Sequence, residues 1–274
     1  MIEWKPPANW EQGRVWINGR YLTYQRTGGA KPPLLLAHGF TDSGFCWSNL
    51  ALHLAADYDV VMPNAIGHAT SDRVTAVLSL SNMVDDLAAI IHTLGLEQPA
   101  LLGHSMGAAV AALLAARHPS LVRTVALEDP PWYAAPRPRN PAAWRDWVNW
   151  LLALREKETA VVIAEQQALN PTWSPLDVAT YVAARQQVDL ALFDLLGWGE
   201  NNQWRDTVAA IQCPLLLITA DVDKEALVTP EVAQEVVGLA KNGRFVHIPH
   251  AGHHICRTQF APFLAALKDF FRQD

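Results

Sequence analysis

The sequence has little charge and no long apolar run. Charged residues make up only 18% of its 274 residues, and the net charge is −6. This acidic balance argues against nucleic acid and against an anionic membrane as partners. No apolar run approaches the ~18 residues needed to cross a bilayer. The N-terminus also lacks the basic start and apolar stretch of a signal peptide, so we expect a cytoplasmic protein.

Cysteine is scarce as well. Cys46, Cys213 and Cys256 are odd in number and far apart in the sequence. A disulfide framework is typical of an even set in a small secreted chain, and a structural metal site needs closely spaced ligands. We therefore expect reduced thiols, and we predict neither a metal site nor a cofactor.

Half of the residues are apolar, which is enough for a sizeable core. Apolar runs of strand length recur along the chain and alternate with helical patterns. The predicted strands of this kind are 33–39, 58–62, 100–103, 122–127, 215–219 and 244–248. Asn18-Gly19 predicts a hairpin turn before them. The alternation predicts an α/β fold, with a mostly parallel, doubly wound sheet covered by helices on both faces.

One segment interrupts the alternation. Residues 131–205 show helical patterns only, and the proline-rich stretch at their start continues neither a strand nor a helix. Seven of the eleven tryptophans lie here, namely Trp132, Trp144, Trp147, Trp150, Trp173, Trp198 and Trp204. We predict that 131–205 form a helical cap, here called the cap segment. It is inserted into one domain whose core is built from 1–130 and 206–274.

The stretch Gly103-His104-Ser105-Met106-Gly107 fits the pattern G-x-S-x-G and lies between an apolar strand and an apolar helix. This context is typical of a nucleophile elbow, a sharp turn that exposes a serine hydroxyl above the sheet. The helix that begins beside Ser105 also directs backbone N–H groups and its positive dipole end at the site. We predict Ser105 as a nucleophile; the competing interpretation is a strand–turn–helix junction with an incidental serine.

A nucleophilic serine needs a base within hydrogen-bond reach. Among the ten histidines, His253 is the best placed, because it follows Ala251-Gly252 in a loop between the last predicted strand and the last predicted helix. The order serine, acid, histidine is also that of enzymes with a nucleophile elbow. His250 and His254 lie in the same loop and compete for the role, although we interpret both as solvated or pocket-wall side chains.

Three aspartates are candidates for the acid that orients the histidine. Asp221 and Asp223 follow the strand predicted at 215–219, and Asp129 follows the strand predicted at 122–127. The alternative for each is a plain loop aspartate that caps backbone N–H groups. We prefer Asp223, with Asp129 second and Asp221 third.

Acyl transfer also needs donors for the developing oxyanion. The backbone N–H of Met106, next after the nucleophile, is one predicted donor. The second is the N–H of Phe40, in the loop after the strand that ends in His38-Gly39. The combination of this loop with the serine motif is a specific signal, whereas a His-Gly pair alone is common in turns.

These residues resemble the α/β-hydrolase superfamily, and the resemblance covers nearly the whole chain. His38-Gly39-Phe40 is similar to the family's oxyanion strand end, and the stretch 67–72 is similar to its G-x-G-x-S-D loop, with Ala69 in place of the second glycine. The resemblance implies the α/β-hydrolase fold. It also excludes the chemistry of epoxide hydrolases and haloalkane dehalogenases, which need an aspartate nucleophile.

The resemblance leaves the acid open. Family members usually carry it after the strand that matches 215–219, three residues beyond a small residue, which is the spacing from Ala220 to Asp223. A minority, including some lactonases, place it after the preceding strand. The 24 residues from Ser105 to Asp129 match that second arrangement.

We predict a serine hydrolase, in the first instance a carboxylesterase, that cleaves a small ester or lactone through an acyl-enzyme. The tryptophan-rich cap segment, with His104 and Trp132 as predicted pocket residues, favours an apolar or aromatic substrate. The alternatives are a carbon–carbon bond hydrolase of aromatic degradation, a cofactor-free haloperoxidase or perhydrolase, and a ligand receptor on a hydrolase fold. A carbon–carbon hydrolase usually needs a cation for the substrate carboxylate, for which Arg137, Arg139 and Arg185 are available. We also allow for a homodimer.

Overall fold

The computed structural model describes residues 6–135, 140–197 and 203–272. Within these ranges the strands, in chain order, are β1 (Glu11–Ile17), β2 (Arg20–Arg26), β3 (Pro33–Ala37), β4 (Asp59–Pro63), β5 (Leu78–Ser79), β6 (Ala100–His104), β7 (Thr124–Glu128), β8 (Leu196–Gly197), β9 (Leu215–Thr219) and β10 (Gly243–His247). One large sheet has the order β1-β2-β4-β3-β6-β7-β9-β10, and β5 pairs separately with β8.

The strands of the large sheet run parallel except at one edge. The hairpin β1–β2 is antiparallel, and β2 pairs antiparallel with β4. The remaining pairs, from β4 across to β10, are parallel. Asn18 and Gly19 have φ values of 51° and 81°, the left-handed backbone that a two-residue hairpin turn requires. The prediction of a mostly parallel sheet is confirmed.

Helices connect these strands in the described residues. They are α1 (Ser48–Leu54), α2 (Leu80–Thr93), α3 (Met106–Arg117), α4 (Pro141–Glu156), α5 (Thr159–Leu169), α6 (Pro175–Gln187), α7 (Leu192–Leu195), α8 (Trp204–Ala210), α9 (Pro230–Leu239), α10 (Ile255–Thr258) and α11 (Phe260–Phe271). α6 and α9 begin with proline after a capping side chain, Ser174 and Thr229 respectively. Proline suits that first position because its missing N–H would have no partner there.

The sheet is apolar on both faces because helices cover both. Leu34 and Leu36 of β3 pack on the face covered by α1 and α11, whereas Leu35 packs on the face covered by α2 and α3. All three side chains are fully buried, and each contributes about 1.5–3 kcal/mol to folding. Successive side chains of a strand point to opposite faces, so this packing confirms the doubly wound arrangement.

The turn between β6 and α3 brings backbone atoms into close approach. A Cβ atom on Gly107 would lie 2.2 Å from the carbonyl oxygen of Ala37 in β3, and one on Gly103 would lie 2.3 Å from the carbonyl oxygen of Gly107. Both distances are far below van der Waals contact, so both positions require glycine. The two glycines therefore set how closely α3 approaches the sheet.

The cap segment contributes α4 to α7 and β8. Its helix α6 packs on α1 and on a 3₁₀ helix, Gly44–Trp47, that follows β3. α8 begins at Trp204, and its Val208 is buried in the core against α3. The predicted boundary at 205 therefore falls inside a helix of the core, and the division into core and cap segment stays a prediction. Trp198 lies outside the described residues.

In the described ranges, none of the helices combines the length and the apolarity that crossing a membrane requires. Cys46, Cys213 and Cys256 are thiols, as expected, and the structure adds that all three are buried.

We expect Gly107→Ala to lower the free energy of unfolding by about 1–3 kcal/mol or more, because the added methyl group would clash with the backbone of β3. Gly238→Ala is the matched control. Gly238 is exposed in α9, and a Cβ atom there would meet nothing within 4 Å. Alanine at that position should raise stability by about 0.5–1 kcal/mol. Urea denaturation of both variants measures the difference, and equal effects would contradict the account of the turn.

Candidate active site

Ser105 occupies a strained turn between β6 and α3. Its backbone has φ 52° and ψ −116°, a conformation that costs a non-glycine residue on the order of 1–3 kcal/mol. Its N–H donates to the carbonyl oxygen of Glu128 in β7 at 2.9 Å, and its own carbonyl oxygen accepts from Ala108 and Ala109 in α3. These bonds hold the turn in place. Ser105 is thereby presented at the carboxyl end of the sheet, where the residue is 9% exposed.

His253 is hydrogen-bonded to Asp129. The ring Nδ1 and the carboxylate Oδ2 are 2.6 Å apart, and the Asp129 side chain is fully buried. The same carboxylate accepts the backbone N–H of Leu227 at 2.9 and 3.0 Å and that of Val228 at 3.0 Å. These donors fix the carboxylate. A carboxylate bound to Nδ1 leaves Nε2 as the basic nitrogen of the ring, which is how an acid orients a catalytic histidine.

The structure does not bring Asp223 to the histidine, and this corrects our first choice of acid. Asp223 lies in a 3₁₀ helix, Val222–Lys224, which turns its side chain to solvent. Asp221, the third choice, is engaged elsewhere, because its carboxylate contacts the His247 ring at 3.0 Å and accepts a loop N–H at 2.9 Å. The loop after β9 reaches the site through backbone N–H groups instead. Asp129, the second choice, is the carboxylate at the histidine.

Two other histidines lie against His253. Nε2 of His104 contacts the carbonyl oxygen of His253 at 2.9 Å, and the two ring centroids are 4.6 Å apart. His254 packs edge-on against Trp173, and its Nδ1 lies 3.4 Å from the guanidinium of Arg257. Burial lowers the pKa of both His104 and His254 well below the usual value. His104, a predicted pocket residue, therefore holds the backbone of His253 as a neutral ring.

The loop after β3 lies against the nucleophile. A Cβ atom on Gly39 would stand 3.4 Å from the Cβ atom of Ser105. His38 fixes this loop, because its Nδ1 lies 2.8 Å from the carbonyl oxygen of Gly39 and its Nε2 accepts the N–H of Ala65 at 3.0 Å. Burial lowers the pKa of His38, and a neutral ring with Nδ1 protonated satisfies both contacts.

The two predicted oxyanion donors flank the serine. Met106 directly follows Ser105 and is the first residue of α3, so its N–H has no partner within the helix. Phe40 directly follows Gly39 in the loop that faces Ser105. The structure brings the loop and the turn together, and the oxyanion role of the two N–H groups stays a prediction.

Aromatic side chains of the cap segment cover Phe40. The Phe40 ring centroid lies 5.6 Å from that of Trp144, 5.4 Å from that of Trp147 and 4.9 Å from that of Phe193. Ring pairs at such distances contribute about 0.5–1.5 kcal/mol each beyond the area they bury. These four rings are here called the aromatic roof. The aromatic roof is thus an apolar surface beside the loop that carries the proposed oxyanion donor, Phe40.

Trp132, the other predicted pocket residue, lies in the core instead. It is only 1% exposed and stacks on Trp204 with a centroid distance of 5.4 Å and an interplanar angle of 13°. The indole N–H of Trp204 donates to the carbonyl oxygen of Tyr133. Because Trp132 is close in sequence to β7, we expected it to line the pocket. Its ring packs instead against Trp204, the first residue of α8.

Two buried arginines share one buried aspartate in the loop after β3. Oδ1 of Asp42 accepts from Arg257 Nη2 at 2.9 Å and from Arg185 Nη1 at 3.3 Å, and all three side chains are 2–5% exposed. Although burial alone would raise the pKa of the Asp42 carboxyl, the two guanidinium groups hold it well below its usual range. Nε of Arg185 is buried without a hydrogen-bond partner. These three residues are here called the arginine pair site.

Asp177 is a further buried acid close to Arg257. The carboxylate of Asp177 is 3.0 Å from Asn49 and 2.6 Å from the Ser174 hydroxyl, so it is occupied by neutral partners. Burial raises the pKa of Asp177. One directly bound carboxylate therefore serves two guanidinium groups.

A metal ion does not fit this region. Asp42, His104 and His254 hold potential ligand atoms within 4.8 Å of one another. A cation there would lie beside Arg257, which is 2.9 Å from Asp42 and 3.4 Å from His254. Like charges at such distances repel strongly in a buried site. The region therefore favours an anion.

Glu128, the last residue of β7, is a buried acid that precedes Asp129. It is 1% exposed, and its Oε1 accepts the N–H of Cys256 at 2.8 Å. Burial raises its pKa to about 8, against the opposing effects of the Cys256 N–H and of Arg257. The side chain is therefore mostly neutral at pH 7.

Sequence patterns missed several of these residues. Trp144 and Trp147 are three residues apart and share one face of α4 with the buried Leu151, so helical periodicity was the signal that would have selected them. Arg257 follows His253 by four residues, and nothing in the sequence marks it as buried. Of the three cap arginines considered above, Arg185 is the buried one, and the other two lie outside the described residues.

Comparison with known proteins agrees with this geometry. The family model described as the alpha/beta hydrolase fold matches residues 32–258. The chain is 26% identical over 263 residues to N-formylmaleamate deformylase of Pseudomonas putida, covering 94% of this chain and 95% of that protein. It is 32% identical over 126 residues to 2-hydroxymuconate semialdehyde hydrolase of Pseudomonas sp. strain CF600, covering 44% of each.

A solved structure extends the likeness to the whole fold. N-formylmaleamic acid deformylase of Pseudomonas putida S16 matches with a TM-score of 0.74 and 25% identity, covering 94% of this chain and 100% of that one. Other curated relatives match over shorter stretches, and the chain spans only 28% to 40% of the length of several of them.

The buried Glu128 should make a pH-dependent contribution to stability that Glu128→Gln lacks. In the folded state its pKa is about 8, whereas its ordinary value is 4.5. Between pH ~4.5 and pH ~8 the Glu128 carboxyl is ionised in the unfolded chain and protonated in the folded protein. Its contribution to the free energy of unfolding is therefore fully present below pH ~4.5 and is lost as the pH rises to ~8. Each pKa unit corresponds to about 1.4 kcal/mol.

Urea unfolding of the wild type and of Glu128→Gln across this pH range measures the difference. We expect the stability of the wild type, relative to the variant, to fall by several kcal/mol between pH ~5 and pH ~8 and then to level off. A difference that stays constant with pH would show that the carboxyl is ionised in the fold.

Proposed function

Because the chain belongs to the alpha/beta hydrolase fold family, we propose that it is a serine hydrolase whose triad is Ser105, His253 and Asp129. The observation that carries the proposal is the 2.6 Å hydrogen bond between His253 and the buried Asp129. Ser105 supports it, since it occupies the strained strand–helix turn that presents a nucleophile in this family's motif.

The proposed reaction proceeds through an acyl-enzyme. His253 removes the hydroxyl proton of Ser105 as Oγ attacks the carbonyl carbon, and the tetrahedral oxyanion accepts from the N–H groups of Phe40 and Met106. Collapse breaks the bond to the leaving group, which takes the proton from His253. A water molecule deprotonated by His253 then attacks the acyl carbon, and the acid product leaves with Ser105 restored. Asp129 holds the ring and stabilises its charged form.

The proposed substrate is a small ester or lactone that also carries a carboxylate. The arginine pair site supports the carboxylate, because guanidinium groups bind carboxylates through paired N–H donors and Nε of Arg185 is a buried donor without a partner. The aromatic roof supports an apolar or aromatic body next to Phe40. A substrate carboxylate in the arginine pair site would also provide a second negative charge, so that each of the two arginines has one acid.

Carbon–carbon bond hydrolysis with the same triad is a second candidate. One relative is named a 2-hydroxymuconate semialdehyde hydrolase, and a substrate of that kind needs a buried cation for its carboxylate. Arg185, 4% exposed, is such a cation. Ester, lactone and carbon–carbon substrates share the arginine pair site, so the bond that is cleaved has to be decided by turnover.

We expect Asp129→Asn to lower kcat about 10⁴-fold, because an amide cannot hold the imidazole in the required tautomer. Ser105→Ala should lose turnover to a similar or greater extent. Asp223→Asn is the matched control, an exposed acid at the end of a neighbouring strand, and it should retain wild-type turnover. The measurement is kcat/KM on p-nitrophenyl esters, lactones and carboxylate-bearing ring-fission products, each compared among the wild type and the three variants.

Three results would contradict parts of this proposal. Turnover that survives Ser105→Ala would exclude a serine nucleophile. A greater loss in Asp223→Asn than in Asp129→Asn would return the acid to the loop after β9. Tight ligand binding by the wild type without turnover of any substrate class would instead favour a receptor.

We expect Arg185→Gln to raise KM about 10–100-fold for an ester that carries a carboxylate, since a hydrogen bond to a charged group contributes about 1.5–3 kcal/mol. The methyl ester of the same substrate, which is neutral, should show little change. Arg145→Gln is the matched control, because Arg145 is an exposed arginine of the cap segment and its loss changes the net charge equally. Equal effects on both substrates, or in both variants, would contradict a carboxylate site.

A further inference from the structure

We propose that Glu128 is a positioning residue for His253. Its carboxyl group holds the start of α10, and with it the loop that carries the histidine, at the place where the ring meets Asp129. The inference rests on the triad proposed above. It adds a side chain that acts through the histidine loop without touching the reacting atoms.

Neighbouring residues at the ends of two strands hold the histidine loop at three points. His104, the last residue of β6, contacts the carbonyl oxygen of His253 at 2.9 Å. Asp129, directly after β7, contacts the His253 ring at 2.6 Å. Glu128, the last residue of β7, accepts the N–H of Cys256 at 2.8 Å. The loop is therefore held at the histidine and again three residues beyond it.

Glu128 also contacts the nucleophile turn, through its backbone. Its carbonyl oxygen accepts the N–H of Ser105 at 2.9 Å. One residue thus joins the serine turn by its main chain and the histidine loop by its side chain. A substitution of the side chain leaves the first contact in place, so its effect on the histidine can be separated from an effect on the serine.

The Cys256 N–H needs the acceptor that Glu128 supplies. Cys256 lies in the first turn of α10, where N–H groups have no partner within the helix. The residue is 8% exposed. Buried N–H groups in native proteins are nearly always hydrogen-bonded. Without this acceptor the start of α10 would have to move toward another one, and His253 would move with it.

A carboxyl group as deeply buried as that of Glu128 lowers stability unless it accepts a hydrogen bond such as that from Cys256. The four preceding residues of β7, 124–127, are completely buried, and an apolar side chain would continue their pattern. Glu128 borders a cavity of about 10 Å³ whose titratable neighbours are Asp42, Cys46, His104, His254, Cys256 and Arg257. Burial raises its pKa to about 8, so near pH 7 it serves as a mostly neutral acceptor.

Glu128→Leu and Glu128→Gln separate positioning from packing. Leucine removes the acceptor at similar volume, whereas glutamine keeps it. We expect Glu128→Leu to lower kcat about 10–100-fold with little change in KM, because displacement of a catalytic group by about 1 Å can cost 100-fold. Glu128→Gln should recover most of that loss at pH 7. Both variants are compared with the wild type on its best substrate.

Proton NMR gives a readout that packing alone does not move. The His253 Nδ1 proton, hydrogen-bonded to Asp129, should appear far downfield in the wild type and in Glu128→Gln. In Glu128→Leu we expect this signal to be shifted or lost. Because the signal needs no substrate, it reports on the position of the ring independently of turnover.

Asp59→Leu is the matched control. Asp59 begins β4, three strands away from β7 in the sheet, is 2% exposed and accepts the N–H of Gly28 at 3.0 Å. Its loss also removes a buried carboxyl that holds a backbone N–H. We expect a lower Tm, with kcat and the His253 signal unchanged.

The results test the positioning role of Glu128 separately from the proposed function. Unchanged kcat and signal in Glu128→Leu would overturn the positioning role, as would the same changes in Asp59→Leu. Failure of Glu128→Gln to recover either readout would overturn the role of the acceptor. If the wild type shows no turnover that depends on Ser105, the proposed function fails, and the His253 signal still decides the role of Glu128.

Discussion

The hydrogen bond between His253 and the buried Asp129 is the interaction on which the proposed chemistry depends. It joins the loop after β10 to the end of β7, across β9, which lies between them in the sheet. A carboxylate at this depth costs several kcal/mol unless its oxygens are satisfied, and Leu227 and Val228 supply the backbone donors. The loop after β9, where our first choice of acid lay, here stabilises an acid that directly follows the neighbouring strand.

The groups around this bond share one electrostatic pattern. The histidines packed on it are kept neutral by burial, and Glu128 is kept mostly protonated in the same way. Permanent charges close by include those of Asp42, Arg185 and Arg257, in which one acid serves two cations. In the proposed function such a site suits an anionic substrate, because a carboxylate bound there would meet donors that are already desolvated and oriented.

Sequence patterns predict features that adjacent residues determine, but they do not predict contacts between residues far apart in the chain. The turn at Ser105 was predictable because its motif, with glycines two residues away on either side, is encoded within five residues. The acid was not, since the spacings to Asp223 and to Asp129 both fit known arrangements. Only the tertiary fold shows which carboxylate faces the ring. Trp132 illustrates the same limit, because closeness in sequence to β7 does not determine which way a side chain turns after a proline-rich stretch.

The central claim, an activated serine at position 105, is tested most directly by covalent labelling with a fluorophosphonate, which reacts with serine nucleophiles that have a working base. Peptide mass spectrometry of the labelled protein identifies the modified residue. We expect one adduct per chain, on the peptide that contains Ser105, and none in Ser105→Ala. An unlabelled wild-type protein, or an adduct that persists in Ser105→Ala, would contradict the assignment.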